Sequence, residues 1–392
     1  MHLPMISFHD TETAFKHKSN SDLRRASQLF SVISNPKLVS VGNSLAIFGL
    51  KIGLPIKGII KATLFKQFVG GETIEDCEKT IRQLHQYRVG TILDYSVEGK
   101  SDEETFDACT TEILRTIDKA KGNPAIPFSV FKVTGLGPFE LLEAVNANEI
   151  LSVEDEAAFG RLKNRVEKIC SHAFASDVRI FVDAEDSWIQ DVIDNLAEEM
   201  MAKFNRKKAI VFNTVQMYRH DRLAYLRKVT DEAKSDNYFL GLKVVRGAYM
   251  EKERARAAEM NYPDPIQPTK AATDTDYNIA IKFCLHNLDV ISFCAGTHNE
   301  DSCMLLVNEM QKSNVAKNDD RVWFAQLLGM SDHISFNLSS KDYHVGKYVP
   351  YGPVKELIPY LSRRAQENTS VKGQTGRELS LIKTELERRK KG

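Results

Sequence analysis

The sequence lacks the features that mark several common classes of protein. Its six cysteines form no CxxC pair and have no histidine at metal-ligand spacing, which predicts reduced thiols in a reducing compartment. No GxGxxG or GxxxxGK motif opens a helix, and the nearest match, "GLGPF" at 135–139, lacks the spacing of a dinucleotide turn. A Rossmann fold is therefore disfavoured. No Ser-His-Asp arrangement stands out, and no set of metal ligands is evident, since His298 has no partner at useful spacing.

An excess of charge of either sign is also missing. Lys plus Arg and Asp plus Glu both number 53, so no overall field favours nucleic acid as a partner. The first residues lack the basic stretch and apolar run of a secretory signal, and Asp10 and Glu12 are unlike an Arg-rich transit peptide. These observations predict a cytoplasmic, bacterial protein.

A long uninterrupted apolar run is absent as well. The most apolar stretch, "LAIFGLKIGLPIKGIIKATLF" at 45–65, contains three lysines, Pro55 and Gly58, which argue against a transmembrane helix. Two interpretations stay open for this stretch. It forms short helices packed on the main domain, or it is a basic amphipathic surface that contacts lipid headgroups at the inner membrane.

What the sequence does contain is a series of eight strand-like runs, most of them separated by helical patterns. The runs are 89–97, 127–136, 178–185, 208–218, 239–249, 289–299, 321–329 and 333–340. Apolar strands that alternate with helices indicate a parallel sheet covered by helices. Eight units favour a closed (β/α)8 TIM-type barrel at 89–368, preceded by a helical arm at 1–88 and followed by a polar loop and short helix at 369–392.

Polar residues close most of these runs. They are Lys132 at the second run, Asp183 and Glu185 at the third, Gln216 and Tyr218 at the fourth, Lys243, Arg246 and Tyr249 at the fifth, Thr297, His298 and Asn299 at the sixth, and Gln326 at the seventh. Chemistry in such barrels takes place at the C-terminal ends of the strands, so these side chains are expected to converge on one mouth. The mouth would be net positive and suited to an anionic ligand, with its chemistry supplied by an organic cofactor.

The stretch "PYLSRRAQEN" at 359–368 adds two adjacent arginines behind Tyr360 on one helical face. A solvated helix is one interpretation. The other is an anion clamp, because the planar guanidinium group of arginine matches a carboxylate bidentately.

The order and spacing of eight motifs resemble the proline dehydrogenase family, flavin enzymes that oxidise L-proline. The motifs are "FKVTGL", "FVDAE", "VQMY", "LKVVRGAY", "GTHNE", "FAQLLGMSD", "KYVPYGPV" and "PYLSRRAQEN". The resemblance as a whole runs over about 92–368. The resemblance implies a barrel whose last helix lies over the mouth.

The resemblance also implies roles for individual residues. Arg363 and Arg364, with Lys132 as a third cation, would hold the proline carboxylate. Asp183 would pair with Arg364 and, with Lys243, belong to the catalytic set. Further pocket walls would be Tyr249, Leu327, Tyr348 and Tyr360, and the FAD contacts would be Ala184, Gln216, Lys243, Arg246, Gly247, Ala248, Thr297, His298 and Gln326. Many bacterial members have arginine where this chain has Lys243.

By the same resemblance, hydride would pass from C5 of proline to flavin N5, and membrane quinone would take the electrons. The product, Δ1-pyrroline-5-carboxylate, would go to a separate glutamate semialdehyde dehydrogenase, because the chain is too short to contain that second enzyme. The resemblance also implies that Tyr348 would favour proline over 4-hydroxyproline. Three alternatives stay open: a 4-hydroxyproline dehydrogenase, a Schiff-base lyase using Lys132 or Lys243, and an anion-binding module without catalysis.

Overall fold

The computed structural model describes residues 6–34, 58, 61–95, 102–370 and 374–391. Eight parallel strands are neighbours in chain order and close into a barrel. The strands are β1 Val89–Tyr95, β2 Phe128–Phe131, β3 Arg179–Val182, β4 Val211–Gln216, β5 Leu240–Val245, β6 Ile291–Gly296, β7 Val322–Leu327 and β8 Val345–Tyr351. Helices follow the strands, so the predicted (β/α)8 TIM-type barrel is confirmed.

The helices lie between the strands and at both ends of the described chain. The α-helices are Thr11–Phe15, Asn20–Ile33, Lys66–Phe68, Glu78–Gln86, Glu103–Ala120, Phe139–Asn146, Val153–Ala175, Ser187–Phe204, Arg222–Ser235, Met250–Met260, Lys270–His286, Glu300–Lys312, Asp332–Ser339, Ile358–Ser370 and Gln374–Lys391. A π-helical turn covers Lys61–Phe65 and a 3-10 turn covers Val133–Gly135. Asp186 and Asn205, residue types that are common at helix ends, are the N-cap and C-cap of the helix Ser187–Phe204.

The chain divides into two compact units, and the strands contribute to both. Unit 1 contains 1–97 and 326–392, and unit 2 contains 98–325. In unit 1, β1 pairs with β8 from Val89 opposite Val345 to Tyr95 opposite Tyr351. In unit 2, the parallel ladder runs from β2 through to β7.

Aromatic rings fill the N-terminal ends of the strands in unit 2. The rings of Phe128 and Phe181 stack with centroids 4.4 Å apart, and Phe212 and Trp323 meet Phe128 edge to face at 5.4 and 5.2 Å. The guanidinium carbon of Arg179 lies 5.4 Å from the Phe128 ring centroid. These buried rings therefore form part of the apolar core of unit 2.

The predicted eighth strand at 333–340 is wrong. "HISFNLSS" alternates polar and apolar residues, yet Asp332–Ser339 is a helix whose residues are all buried. Its polar side chains find partners inside unit 1: Ser335 Oγ donates to Gln326 Oε1 at 2.8 Å, and Asn337 Nδ2 donates to the carbonyl of His333 at 2.7 Å. The eighth strand is instead Val345–Tyr351, ten residues or so further along the chain.

The terminal segments carry predictions that the structure tests only in part. Most of 45–65 lies outside the described residues, so packed helices and lipid contact both stay predictions for this stretch. Within the described part of the chain, no helix is both long enough and apolar enough to cross a membrane. The terminal helix Gln374–Lys391 has 18 residues and is longer than expected. The domain bounds and the position of Ile358–Ser370 over the mouth stay predictions.

Candidate active site

The site in unit 2 is built around one carboxylate between two lysines. Asp183 follows β3, Lys132 follows β2, and Lys243 lies within β5. Lys132 Nζ donates to Asp183 Oδ2 at 2.9 Å, and Lys243 Nζ donates to Asp183 Oδ1. The ammonium group of Lys243 also lies 5.1 Å from the centroid of the Phe181 ring. The structure therefore brings together three residues that the sequence placed on three different strands.

Burial makes this charge cluster energetically strong. Asp183 is 8% exposed and Lys243 is 5% exposed. Burial raises the pKa of Asp183, but the charges of Lys132 and Lys243 outweigh that effect and lower the pKa to about 2. The carboxylate is thus ionised at neutral pH, and the three groups together carry one net positive charge. Such a site suits an anionic ligand.

A second set of hydrogen bonds joins the segment after β2 to the segment after β3. Glu185 accepts hydrogen bonds from the backbone N–H of Thr134, at 3.1 Å, and from the Thr134 hydroxyl group. Its backbone carbonyl accepts a bond from Gln216 Nε2 at 2.7 Å. Burial raises the pKa of Glu185 to about 7, despite the opposing charge of Lys132. Glu185 therefore holds the loop after β2 and the predicted flavin contact Gln216. Ala184, which lies between Asp183 and Glu185 in the sequence, is half-buried.

Arg246, at the end of β5, is held by residues that the sequence analysis missed. Its Nε donates to Asp274 Oδ1 at 2.6 Å, its Nη1 to Thr297 Oγ1 at 2.6 Å and its Nη2 to Ser302 Oγ at 2.8 Å. Its guanidinium carbon lies 4.2 Å from the Tyr277 ring centroid. Thr297 was predicted, but Asp274 and Ser302 come from helices far along the chain, and no local pattern marks them as partners of Arg246.

The residue after Arg246, Gly247, has a backbone conformation that only glycine adopts readily. Gly247 has φ of +133°, and a Cβ there would lie 2.4 Å from the Tyr218 ring. Ala248 is exposed and Tyr249 is half-buried before the helix Met250–Met260. On the next strand end, His298 is half-buried, and Asn299 caps the helix Glu300–Lys312 by accepting a bond from Ser302 N at 2.8 Å.

Unit 1 contains the predicted flavin contact Gln326 and the predicted pocket walls Leu327 and Tyr348. Gln326 is 2% exposed and Tyr348 is 8% exposed, whereas Leu327 is half-buried. The backbone carbonyl of Tyr348 accepts a bond from Leu328 N at 2.8 Å, which ties the end of β7 to β8. These three residues are therefore close neighbours in the fold of unit 1.

The helix Ile358–Ser370 of unit 1 presents the predicted clamp. The guanidinium carbon of Arg364 lies 5.1 Å from the Tyr360 ring centroid, and both residues are 6% exposed. Arg363 is half-buried. The burial of Arg364 argues against a fully solvated helix face. The expected ion pair between Asp183 and Arg364 joins residues of different units and stays a prediction.

The donors in unit 2 fit a flavin. Flavin dinucleotides combine a ring system that has carbonyl and nitrogen acceptors with a pyrophosphate, and both are recognised by cationic and N–H donors. Lys243, Arg246 and the Thr297 hydroxyl supply such groups, and Gly247 leaves the backbone accessible beside Arg246. By contrast, no group of metal-ligating side chains occurs among the described residues.

Three comparisons relate the chain to known proteins. The profile of the family described as "Proline dehydrogenase" matches residues 77–377. The carbapenem antibiotics biosynthesis protein CarD of Pectobacterium carotovorum is 35% identical, over 82% of this chain and 83% of that protein. Proline dehydrogenase 1, mitochondrial, of Dictyostelium discoideum is 32% identical, over 97% of this chain and 74% of that protein.

A solved structure shares the fold. Proline utilization A from Bdellovibrio bacteriovorus superposes with a TM-score of 0.73 at 19% identity, covering 97% of this chain. The present chain spans only 42% of that much longer protein.

Proposed function

The chain belongs to the proline dehydrogenase family, and from that premise we propose that it oxidises L-proline to Δ1-pyrroline-5-carboxylate with FAD as cofactor. As a member of this family it is an oxidoreductase. The observation that carries the proposal is the Lys132–Asp183–Lys243 cluster, because it supplies a buried, net positive group at the strand ends where barrel enzymes bind their substrates.

The proposed role of the cations is to bind and orient the substrate. Proline carries a carboxylate, and Arg363 and Arg364 would hold its two oxygens while Lys132 supplies the third positive charge. Asp183 keeps Lys132 in place through the 2.9 Å bond and balances part of the charge. Fixing the ring in one orientation lowers the entropic cost of reaching the transition state.

The proposed role of the remaining pocket residues is to enclose the ring. Tyr249, Leu327, Tyr348 and Tyr360 would form apolar and aromatic walls that exclude water from C5. During the oxidation the C5–H bond breaks, a C=N bond forms between C5 and the ring nitrogen, and the nitrogen loses a proton. A bound FAD supplies the acceptor for the hydride, held by Lys243, Arg246 and their neighbours.

The acceptor and the fate of the product are also proposals. Membrane quinone would take the electrons from the enzyme, and the lysine-rich apolar stretch at 45–65 supports a peripheral contact with the cytoplasmic face of the inner membrane. A separate glutamate semialdehyde dehydrogenase would then consume the product. The proposed location is therefore the cytoplasm or that membrane face.

The geometry favours this function over a Schiff-base lyase. A lyase would need an uncharged amine that is available to attack a carbonyl. Instead, Lys132 Nζ and Lys243 Nζ both donate hydrogen bonds to the Asp183 carboxylate. Such pairing suits a fixed cationic clamp better than a nucleophile.

Product analysis tests the proposed function. We expect purified protein with L-proline and a soluble quinone analogue to form a cyclic imine that contains two hydrogens fewer than proline. A covalent adduct at Lys132 or Lys243, trapped by borohydride with a carbonyl substrate, would support the lyase instead. Binding of proline without any turnover would support the anion-binding module.

A further inference from the structure

A turn after β7 connects the predicted pocket wall Leu327 to the helix Asp332–Ser339. Two residues of this turn have left-handed backbone conformations: Gly329 has φ of +75° and Ser331 has φ of +51°. A serine in this region is held there only when its surroundings impose the conformation. The turn therefore depends on contacts from outside its own sequence.

Lys347 in β8 supplies the central contacts. Its side chain is fully buried, and its Nζ lies 2.7 Å from the carbonyl oxygen of Met330, 3.3 Å from that of Leu327 and 2.9 Å from Oδ1 of Asp332. An ammonium group has three N–H donors, and these three acceptors match that number. One side chain thus binds both ends of the turn, including the carbonyl of the pocket residue itself.

Two residues from the terminal regions contact the end of this network: Lys18 pairs with Asp332, outside the turn, and Glu378 bonds to the turn itself. Lys18 Nζ lies 2.7 Å from Oδ2 of Asp332, whereas Lys347 Nζ lies 2.9 Å from Oδ1. Glu378, on the helix Gln374–Lys391, accepts a hydrogen bond from the backbone N–H of Ser331 and is 3% exposed. The left-handed residue is therefore fixed by an acceptor from the last helix.

We propose that Lys347 is a positioning residue for the substrate pocket, which acts through the turn 327–331 to fix Leu327 against the proline ring. The inference rests on the proposed function and extends it to ring selectivity. A lysine in the interior of a barrel strand is costly to bury, and its three bonds to the turn account for its presence there.

Two lysine variants separate positioning from stability. Lys347→Met and Lys18→Met each remove one cation from Asp332, but only Lys347→Met also removes the donor to the carbonyls of Leu327 and Met330. We expect Lys347→Met to raise KM for L-proline about tenfold, with a smaller change in kcat, because a displaced wall weakens ring orientation. Lys18→Met should lower the melting temperature and leave KM within about twofold.

Ring selectivity provides the readout that stability alone does not change. We expect the preference of kcat/KM for proline over piperidine-2-carboxylate, the six-membered homologue, to fall about tenfold in Lys347→Met only. Equal KM and equal selectivity in the two lysine variants would overturn the inference. If the wild type does not oxidise proline, the proposed function and the inference both fail. If the wild type oxidises proline but the two lysine variants do not differ in KM or ring selectivity, the inference alone is refuted.

A second pair of variants keeps the test available if Lys347→Met does not fold. Glu378→Ala removes the acceptor of the Ser331 N–H, whereas Glu378→Gln retains an amide oxygen in its place. We expect KM to rise in Glu378→Ala and to return toward the wild-type value in Glu378→Gln. The same KM in both variants would contradict the role of the turn.

Discussion

The ammonium group of Lys132 lies 2.9 Å from Oδ2 of Asp183, where the second and third strands of the barrel end. Lys243, from the fifth strand, donates to the other oxygen of the same carboxylate. Because Asp183 is buried between two cations, its charge both stabilises the fold and fixes the lysine that we assign to the substrate carboxylate. This relationship leads to the first prediction.

Asp183→Asn should lower the free energy of unfolding by about 3 kcal/mol at pH 7, because the buried Lys243 and the half-buried Lys132 lose their counter-charge. Chemical denaturation monitored by circular dichroism measures the change. Asp231→Asn is a matched control, since Asp231 is exposed on the helix Arg222–Ser235. The control should change the unfolding free energy by no more than about 0.5 kcal/mol. Equal effects of the two variants would show that the charge cluster is not stabilising.

The same variant predicts a pH dependence. The pKa of Asp183 is lowered from its usual 3.8 to about 2 in the folded protein, so its ionic contribution is complete above the usual value. That contribution is lost as the pH falls through about 2. The stability difference between wild type and Asp183→Asn should therefore shrink over this acidic range. A difference that stays constant with pH would contradict the lowered pKa.

Glu185 should produce the opposite dependence. Its pKa is raised from 4.5 to about 7 by burial, so the unfolded chain ionises this group before the folded protein does. The folded protein therefore loses stability as the pH rises between these values, by an amount on the order of 3 kcal/mol. Glu185→Gln keeps an acceptor for Thr134 and should remove this loss, which denaturation at a series of pH values would measure. If the free energies of unfolding of wild type and Glu185→Gln change with pH in the same way from acid to neutral pH, the raised pKa of Glu185 is contradicted. Glu259→Gln is the control, because Glu259 is exposed.

Arg363→Met and Arg364→Met should each weaken proline binding by about 2 to 5 kcal/mol, because each removes one donor to a desolvated carboxylate. Steady-state kinetics with L-proline measures the change as a rise in KM. Arg377→Met removes an arginine from the following helix and is the matched control. Unchanged saturation by proline in both clamp variants would eliminate the clamp.

Tyr348→Ser should relax substrate choice. Tyr348 is 8% exposed on β8, and shortening it would leave space and a hydroxyl group beside the ring position that 4-hydroxyproline substitutes. Turnover of both substrates by wild type and variant measures the effect. We expect the ratio of kcat/KM for proline to that for 4-hydroxyproline to fall about tenfold. A ratio that does not change would remove Tyr348 from the specificity determinants.

The sequence predicts much of the barrel because its signals are local. Seven of the eight strand-like runs contain strands, and Lys132, Asp183 and Lys243 meet because the parallel strands of a barrel all end at the same face. The prediction of a strand at the eighth run is wrong because the sequence of a helix that is buried on all sides need not show apolar residues at the helical period. Its alternating polar residues are satisfied by tertiary partners that no local pattern contains.

The sequence pattern did not predict the actual eighth strand, Val345–Tyr351, for a related reason. "VGKYVPY" includes Lys347 and Pro350, which both argue against a buried central strand. Lys347 is accommodated only because the turn after β7 supplies its acceptors. Asp274 was missed likewise, because its pairing with Arg246 depends on how two distant elements pack. The roles taken from the family resemblance stay predictions until the variants are measured.

Anaerobic titration of the flavin-loaded protein with L-proline tests the central claim most directly. The account predicts that the yellow absorption of the flavin bleaches as proline is added, that one proline is consumed for each flavin, and that the cyclic imine accumulates in parallel. A protein that takes up no flavin, or whose flavin absorption stays unchanged at saturating L-proline, would contradict the account.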